Sequence, residues 1–352
     1  MRDIVIGERF IGKNHSPFII AEMSGNHNQS LERALQIVEA AAEAGGVDAL
    51  KIQTYTADTM TLNETKMDDF VIRDQESLWK NKSLYQLYQE AYTPWEWHEA
   101  IFDKCRELGI IGFSSPFDET AVDFLESLQV PMYKIASFEC TDLPLIKKVA
   151  QTKKPMIIST GMCSAAEIEE TVKTAREAGC TEMVLLKCTS TYPATPENSN
   201  VRTIPHMEDL FQCQIGLSDH TLGSGVALAS IALGATVIEK HLTLSRAEGG
   251  VDSQFSLEPD EWKVLVAEAK RAWQGLGHIH YGTTKAETPP SKKYRRSLYI
   301  VDNMKKGEKI TKENMRVIRP GYGLPPKYYD ILLGKTVKKN IPKGTPVDWD
   351  LI

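Results

Sequence analysis

Two histidines carry the first chemical signal in this chain of 352 residues. His220 closes Ile215-Gly216-Leu217-Ser218-Asp219-His220, and His241 closes Val237-Ile238-Glu239-Lys240-His241. Each sits just past a short apolar run of the kind that forms a buried parallel strand. Two imidazoles on neighbouring strand ends, with Glu22 or Glu239 near by, could hold one divalent cation such as Mn²⁺ or Zn²⁺. Two protein ligands leave positions for water and substrate, as Lewis-acid catalysis requires. Other polar residues end similar runs: Glu22; Lys51 and Gln53, which alternate onto one side of a strand; Ser114 and Ser115; Lys134 and Ser137; Ser159 and Thr160; Lys187, Ser190 and Tyr192. Any one alone reads as a solvated loop residue or a hydrogen-bonded structural histidine. Convergence would change that. Lysines at a buried mouth need anions beside them, so Lys51 and Lys134 with several hydroxyls suit a phosphate, or a phosphate plus a carboxylate.

The elements that must position these groups are eight apolar runs: Phe18–Ala21, Val47–Ile52, Ile110–Phe113, Met132–Ala136, Pro155–Ile158, Glu182–Leu186, Gln214–Leu217 and Thr236–Ile238. Helical patterns separate them, including Leu31–Ala44, Thr120–Leu128, Ala165–Ala178 and Gly225–Leu233. Ser164 with Glu167 three residues on is a capping signal, and Gly179 fits the other end of that helix. Repeated strand–helix units imply a (β/α)₈ barrel, whose chemistry gathers at the C-terminal rim; a doubly wound sheet is the rival. The connection over residues 55–93 is longer, and its polar piece Ser77-Leu78-Trp79-Lys80-Asn81-Lys82-Ser83-Leu84-Tyr85 is expected to form a loop over that rim. Gly223-Ser224-Gly225 could cradle phosphate at a helix start or be a plain turn. Gly249-Gly250-Val251-Asp252-Ser253 could bring backbone and Asp252 close to a ligand.

The barrel is expected over 1–282, a polar linker over 283–295 and a small β-rich domain over 296–352. Lys305-Lys306-Gly307-Glu308 echoes Pro342-Lys343-Gly344-Thr345 and suggests internal pseudo-symmetry. A unit of about 55 residues buries little core alone, so a neighbour to pack against is expected. The net charge of −6 argues against a general nucleic-acid binder. No run approaches the ~20 apolar residues of a membrane span, and residues 1–6 lack the apolar core of a signal peptide. Six scattered cysteines without CxxC spacing suggest reduced thiols in a cytoplasm.

The motifs resemble a known family, the sialic-acid-type synthases that condense phosphoenolpyruvate with an amino sugar. The likeness rests on Ile20-Ala21-Glu22 with Asn26-His27-Asn28, Leu50-Lys51-Ile52-Gln53-Thr54, Tyr133-Lys134-Ile135-Ala136-Ser137, Ile158-Ser159-Thr160-Gly161-Met162, Gly216-Leu217-Ser218-Asp219-His220-Thr221 and Glu239-Lys240-His241. In the tail, Arg296-Ser297-Leu298, Lys306-Gly307-Glu308 and Arg319-Pro320-Gly321 resemble an antifreeze-like (SAF) domain.

Within that family, Lys187-Cys188-Thr189-Ser190-Thr191-Tyr192-Pro193, Thr93-Pro94-Trp95-Glu96-Trp97-His98 and Gly249-Gly250-Val251-Asp252-Ser253 lean toward the pseudaminic-acid-forming branch. Neuraminate-forming members typically have His-Cys-Thr-Asn in place of Lys187-Cys188-Thr189-Ser190, and Gly-Pro-Asp in place of Gly250-Val251-Asp252. The expected sugar is then 2,4-diacetamido-2,4,6-trideoxy-L-altrose; the precursor of neuraminic or legionaminic acid is the alternative. The resemblance implies His220 and His241 as ligands of Mn²⁺, with Mg²⁺ or Co²⁺ as substitutes, and Glu22 as a proton-handling residue. It implies that Lys51, Ser115, Lys134, Ser137, Ser159, Ser190 and Ser218 hold phosphoenolpyruvate. Gln53, Tyr192, Glu239 and Asp252 would face the sugar. Arg319 would reach it from the second subunit of a domain-swapped homodimer. From the residues alone, a metal-dependent hydrolase and a non-catalytic binding scaffold stay open.

Overall fold

The computed structural model describes residues 1–74 and 77–352; residues 75 and 76 lie outside the described residues. The chain packs as two compact units, Met1–Gly277 and His278–Ile352.

The first unit opens with a short antiparallel hairpin, β1 (Ile4–Ile6) and β2 (Arg9–Ile11). Eight parallel strands follow and close into a barrel: β3 (Phe18–Glu22), β4 (Ala49–Thr54), β5 (Ile111–Pro116), β6 (Tyr133–Ile135), β7 (Met156–Ser159), β8 (Met183–Cys188), β9 (Gln214–Asp219) and β10 (Val237–His241), with β10 paired to β3. The period-2 geometry of a strand sorts their side chains. Ile19, Ala21, Leu50, Ile52, Ile135, Ile158, Leu185, Leu217 and Ile238 face outward and pack in one large core with the surrounding helices. Phe18, Ile20, Ala49, Phe113, Met132, Ile157, Val184, Leu186 and Val237 face inward and form a second cluster with Ile4, Ile6 and Ile11. The hairpin therefore plugs the N-terminal end of the barrel.

The expected helices are present at Leu31–Glu43, Glu119–Ser127, Ala165–Glu177 and Gly225–Ala232. The capping box of Ser164 and Glu167 forms, and Gly179 takes φ 107 past the end of its helix.

The strands differ from expectation at their C-terminal ends. β4, β5, β8, β9 and β10 each run two or three residues further than the apolar runs suggest. Gln53, Glu239 and His241 therefore lie within the ladder, because pairing is made by backbone groups and tolerates a polar side chain. The connection over residues 55–93 is partly helical, and the end of the expected rim loop, Leu84 and Tyr85, starts a helix. It contains helices Ala57–Met60 and Leu84–Ala91, the latter started by a capping box of Ser83 and Gln86.

In the second unit, β11 (Ser297–Ile300) and β12 (Met315–Ile318) form a two-stranded sheet over a core of Leu298, Ile300, Met304, Ile310, Met315, Leu332, Val337 and Ile341. The repeated Lys-Gly segments are related by local two-fold pairing. Met304 and Ile341 exchange both backbone hydrogen bonds at 2.8 Å. Lys306 N donates to Asn340 Oδ1 and Lys343 N donates to Asn303 Oδ1, at 2.8 and 2.9 Å. Gly307 and Gly344 turn with φ 89 and 88. The expected linker holds a helix, Thr288–Tyr294, whose prolines fall in the first turn, where an amide proton is not needed.

Candidate active site

The C-terminal ends of the barrel strands surround a cavity of about 490 Å³. Glu22, Lys51, Gln53, Lys134, Ser137, Ser159, Tyr192, Ser218, His220, Glu239, His241 and Asp252 all line it. Period-2 alternation brings them there: Glu22 ends β3, Lys51 and Gln53 share one face of β4, and Glu239 and His241 share one face of β10.

At the base, two ammonium groups meet two carboxylates. Lys51 Nζ lies 2.8 Å from Glu22 Oε2 and 3.5 Å from Glu239 Oε1. Lys134 Nζ donates to the same Glu239 oxygen at 3.1 Å, and Ser218 Oγ donates to it at 3.3 Å. Burial alone would neutralise all four groups. Their mutual arrangement decides otherwise for some. Burial works to raise Glu239, but Lys134 and Lys51 outweigh it and hold the carboxyl below its ordinary value. Lys51, flanked by two carboxylates, is raised against burial. Lys134 is pushed down by burial, which Glu239 only partly offsets. Burial, with the charge of Glu239, leaves Glu22 above its usual range.

At the rim, the His220 and His241 rings lie 5.3 Å apart, centre to centre. His220 Nδ1 donates to the Thr189 carbonyl at 3.0 Å, with the tautomer assigned from that contact, which turns the other ring nitrogen into an acceptor. His241 Nδ1 is buried, lacks a hydrogen-bond partner and stands 3.9 Å from Asp252 Oδ2. Burial first, then the charges of His220 and the nearby lysines, keep His241 far below the usual imidazole value. Ser24 Oγ donates to Asp252. Two imidazoles with a carboxylate alongside fit a borderline divalent cation. Among the described residues no group of three or more His, Cys, Asp or Glu gathers as a metal cage, so water and substrate would complete the coordination.

Ser115 and Ser190 do not line the cavity. Ser115 Oγ sits behind Lys51, 3.4 Å from its Nζ. Ser190 Oγ stands beside Ser137 Oγ at Gly161, where a Cβ would come within 2.1 and 2.8 Å of the two hydroxyls. Ser137 also accepts from Gly161 N at 3.0 Å. Ser159 Oγ is buried with no protein partner, as a hydroxyl kept for a ligand would be. Arg319 belongs to the second unit.

Several strand-end residues turn elsewhere. Lys187 donates to the Cys188 carbonyl at 2.8 Å. Asp219 is paired with Lys240 at 2.8 Å. Asn26 braces Leu242 and Ser256, and His27 meets Thr93 at 3.3 Å. Gly223-Ser224-Gly225 lies outside the cavity lining and acts as a turn into a helix, Gly223 having φ 73. Gly250 is needed where it stands: a Cβ would approach Asn28 Oδ1 to 2.8 Å, at φ 137.

The sequence reading missed Glu139. It follows β6 in a 3-10 turn, lines the cavity, and has one buried carboxylate oxygen without a partner. Burial pushes its carboxyl up to about 7, against its own backbone amide and Lys134. Its spacing from Lys134 follows no strand alternation, so the pattern held no signal for it. Ser24 and Trp79 were missed for the same reason.

The chain resembles proteins of matching architecture along most of its length. Residues 37–281 match the NeuB family and residues 295–352 match the SAF domain. A pseudaminic acid synthase of Campylobacter jejuni is 43% identical over 327 residues, covering 93% of this chain and 94% of that protein. A pseudaminic acid synthase of Helicobacter pylori is 40% identical, covering 95% and 97%. An N,N'-diacetyllegionaminic acid synthase of Legionella pneumophila is 34% identical, covering 97% and 96%. Among solved structures, N-acetylneuraminic acid synthetase from Leptospira borgpetersenii superposes with a TM-score of 0.73 at 29% identity, over 82% of this chain and 95% of that one. A plugged (β/α)₈ barrel with this polar mouth, joined to a SAF unit, places the chain in the NeuB family.

Proposed function

We propose that the protein condenses phosphoenolpyruvate with 2,4-diacetamido-2,4,6-trideoxy-L-altrose and water, giving pseudaminic acid and phosphate. The observation that carries this reading is the division of one cavity into a base built around two lysines and an imidazole rim. An enol phosphate needs the first. An aldehyde acceptor needs the second.

Lys51 and Lys134 hold the phosphate and carboxylate, with Ser137, Ser159 and Ser218 as hydroxyl donors. Ser115 and Ser190 support that set from behind. A divalent ion on His220 and His241, Mn²⁺ first, supplies Lewis acidity toward the open-chain aldehyde when bound. Gln53, Tyr192, Glu239 and Asp252 face the sugar. C3 of phosphoenolpyruvate forms the new bond to the aldehyde carbon, whose oxygen takes a proton to become a hydroxyl. Water adds at C2 and loses a proton. The resulting tetrahedral carbon expels phosphate by C–O cleavage, its hydroxyl proton going to the departing phosphate, and becomes the ketone. Glu22 and Glu139, both carboxyls raised by burial, are placed to hold and return those protons. Fixed charges and positions do most of the work.

No helix among the described residues is long and apolar enough to cross a membrane. A cytoplasmic homodimer is the assembly we infer, with Arg319 of each SAF unit reaching the other subunit's sugar. Charge supports it: His278–Ile352 carries 16 Lys and Arg against 7 Asp and Glu, in a chain of net charge −6.

The test is phosphate release with phosphoenolpyruvate and each of three sugars: the altrose derivative, the legionaminic precursor and N-acetylmannosamine. Release should require both substrates, favour the altrose derivative, stop with EDTA and return with Mn²⁺. Release from phosphoenolpyruvate alone would point to a hydrolase and refute the reading.

A further inference from the structure

The cavity has two chemically different walls. The barrel supplies the charged one. Residues 55–93 supply the other, through Met60, Ile72, Trp79, Leu84 and Tyr88. This second wall is built rather than draped. Val71 and Ser83 form a β-bridge, Ile72 N donates to Lys82 O at 3.0 Å, and Asn81 N donates to Ile72 O at 2.9 Å. Trp79 is then pinned over the mouth. Its Nε1 donates to Val251 O at 2.9 Å, and its ring lies 5.7 Å from that of Tyr192. With its only side-chain donor engaged, Trp79 offers the cavity a bare aromatic ring. Among the described residues, the polar members of this wall are Asp74, Ser77 and the phenols Tyr55 and Tyr88. Asp74 is engaged within the protein, and Ser77 Oγ accepts from Trp79 N at 3.2 Å.

We propose that Met60, Ile72, Trp79 and Leu84 form a specificity wall that selects amino sugars carrying methyl groups where common hexosamines carry hydroxyls. The inference rests on the proposed condensation and deepens it. Phosphoenolpyruvate is small and highly charged, so it has no use for an apolar wall. The altrose derivative presents three methyl groups, one at C6 and two on its acetamides. N-acetylmannosamine presents hydroxyls at C4 and C6. A methyl leaves water for this wall favourably, whereas a hydroxyl pressed against it loses water without gaining a partner. An apolar pocket discriminates against an added hydroxyl by about 10²-fold.

Steady-state kinetics of the full-length, Mn²⁺-loaded enzyme decide the matter. The wild type should favour the altrose derivative over its 6-hydroxy analogue by roughly 10- to 100-fold in kcat/KM, the upper figure being the limit for such a pocket. Trp79→Ala should raise the sugar KM by roughly tenfold or more, while the phosphoenolpyruvate KM stays within about twofold, given the separate walls. Ile72→Asn should cut the preference about tenfold, and Ile72→Val should keep it. Retained phosphoenolpyruvate saturation reports that each variant is folded. If the wild type prefers N-acetylmannosamine, the assigned sugar and the wall both fall. If it prefers the altrose derivative but handles the 6-hydroxy analogue equally well, or if the variants raise both KM values in parallel, the wall alone is overturned.

Discussion

Replacing Glu239 with Gln keeps the shape of the site and removes one negative charge from between two buried ammonium groups. The separations of 3.1 and 3.5 Å to Lys134 and Lys51 correspond to attractions of roughly 5 kcal/mol each at an effective dielectric near 20. Desolvation offsets much of that, so the measured loss should fall near the ~3–5 kcal/mol typical of breaking a buried pair. At roughly 2 °C per kcal/mol for a domain of this size, the melting temperature should drop by about 6–10 °C. The same change should make the site more receptive to anions, because the lysines no longer have Glu239 as a competitor for their protons and hydrogen bonds. Inorganic phosphate or phosphoenolpyruvate should therefore protect Glu239→Gln more than the wild type, approaching about 2.7 kcal/mol at a hundredfold excess over Kd. Differential scanning fluorimetry with a phosphate titration measures both effects. A variant that melts within about 1 °C of the wild type, against the larger drop that a broken buried pair requires, and that gains no extra protection would show that Glu239 does not hold these lysines.

Three further outcomes follow from the geometry. Glu139→Gln should lower kcat by about 10²–10⁴-fold and remove a limb near pH 7 from the kcat/KM profile, the value to which burial raises this carboxyl. Because its folded-state affinity for the proton exceeds the unfolded one, the wild type should lose up to about 3 kcal/mol relative to the Glu139→Gln variant as pH rises from 4.5 to 7, with no further change above that; urea melts at about pH 5 and 8, near the two ends of that window, read the difference. Ile6→Ala, in a side chain only 2% exposed at the barrel plug, should cost about 2–5 kcal/mol while leaving kcat nearly unchanged. Arg319→Ala mixed with Lys134→Ala should regain activity through hybrid dimers if Arg319 acts across the interface; two inactive parents that stay inactive on mixing would place Arg319 elsewhere.

The barrel was legible because its strands repeat one local rule, and the residues that line the mouth through strand alternation were legible with it. Lys51 and Gln53, or Glu239 and His241, announce a shared face by their spacing alone. Glu139 did not, because a 3-10 turn aims it, and turns carry no period. Ser115 and Ser190 entered the phosphoenolpyruvate set through the family resemblance, and sequence gives no depth along a strand: Ser115 Oγ stands 3.4 Å from Lys51 Nζ, and Ser190 Oγ lies beside Ser137 Oγ at Gly161. The β1–β2 hairpin escaped notice since three-residue strands are too short to show a pattern. The helices within residues 55–93 were hidden by aromatic and polar residues that suit either state.

The Ile4, Ile6 and Ile11 stopper gives the barrel a floor. A blind shaft has a single doorway, so the molecule that settles deepest must enter earliest and depart last. In the binding mode proposed above, the enol phosphate lies over the two lysines at the bottom and the sugar above it. In that arrangement architecture alone would order the traffic inward: the enol phosphate would load before the sugar, with no moving gate needed to enforce the queue.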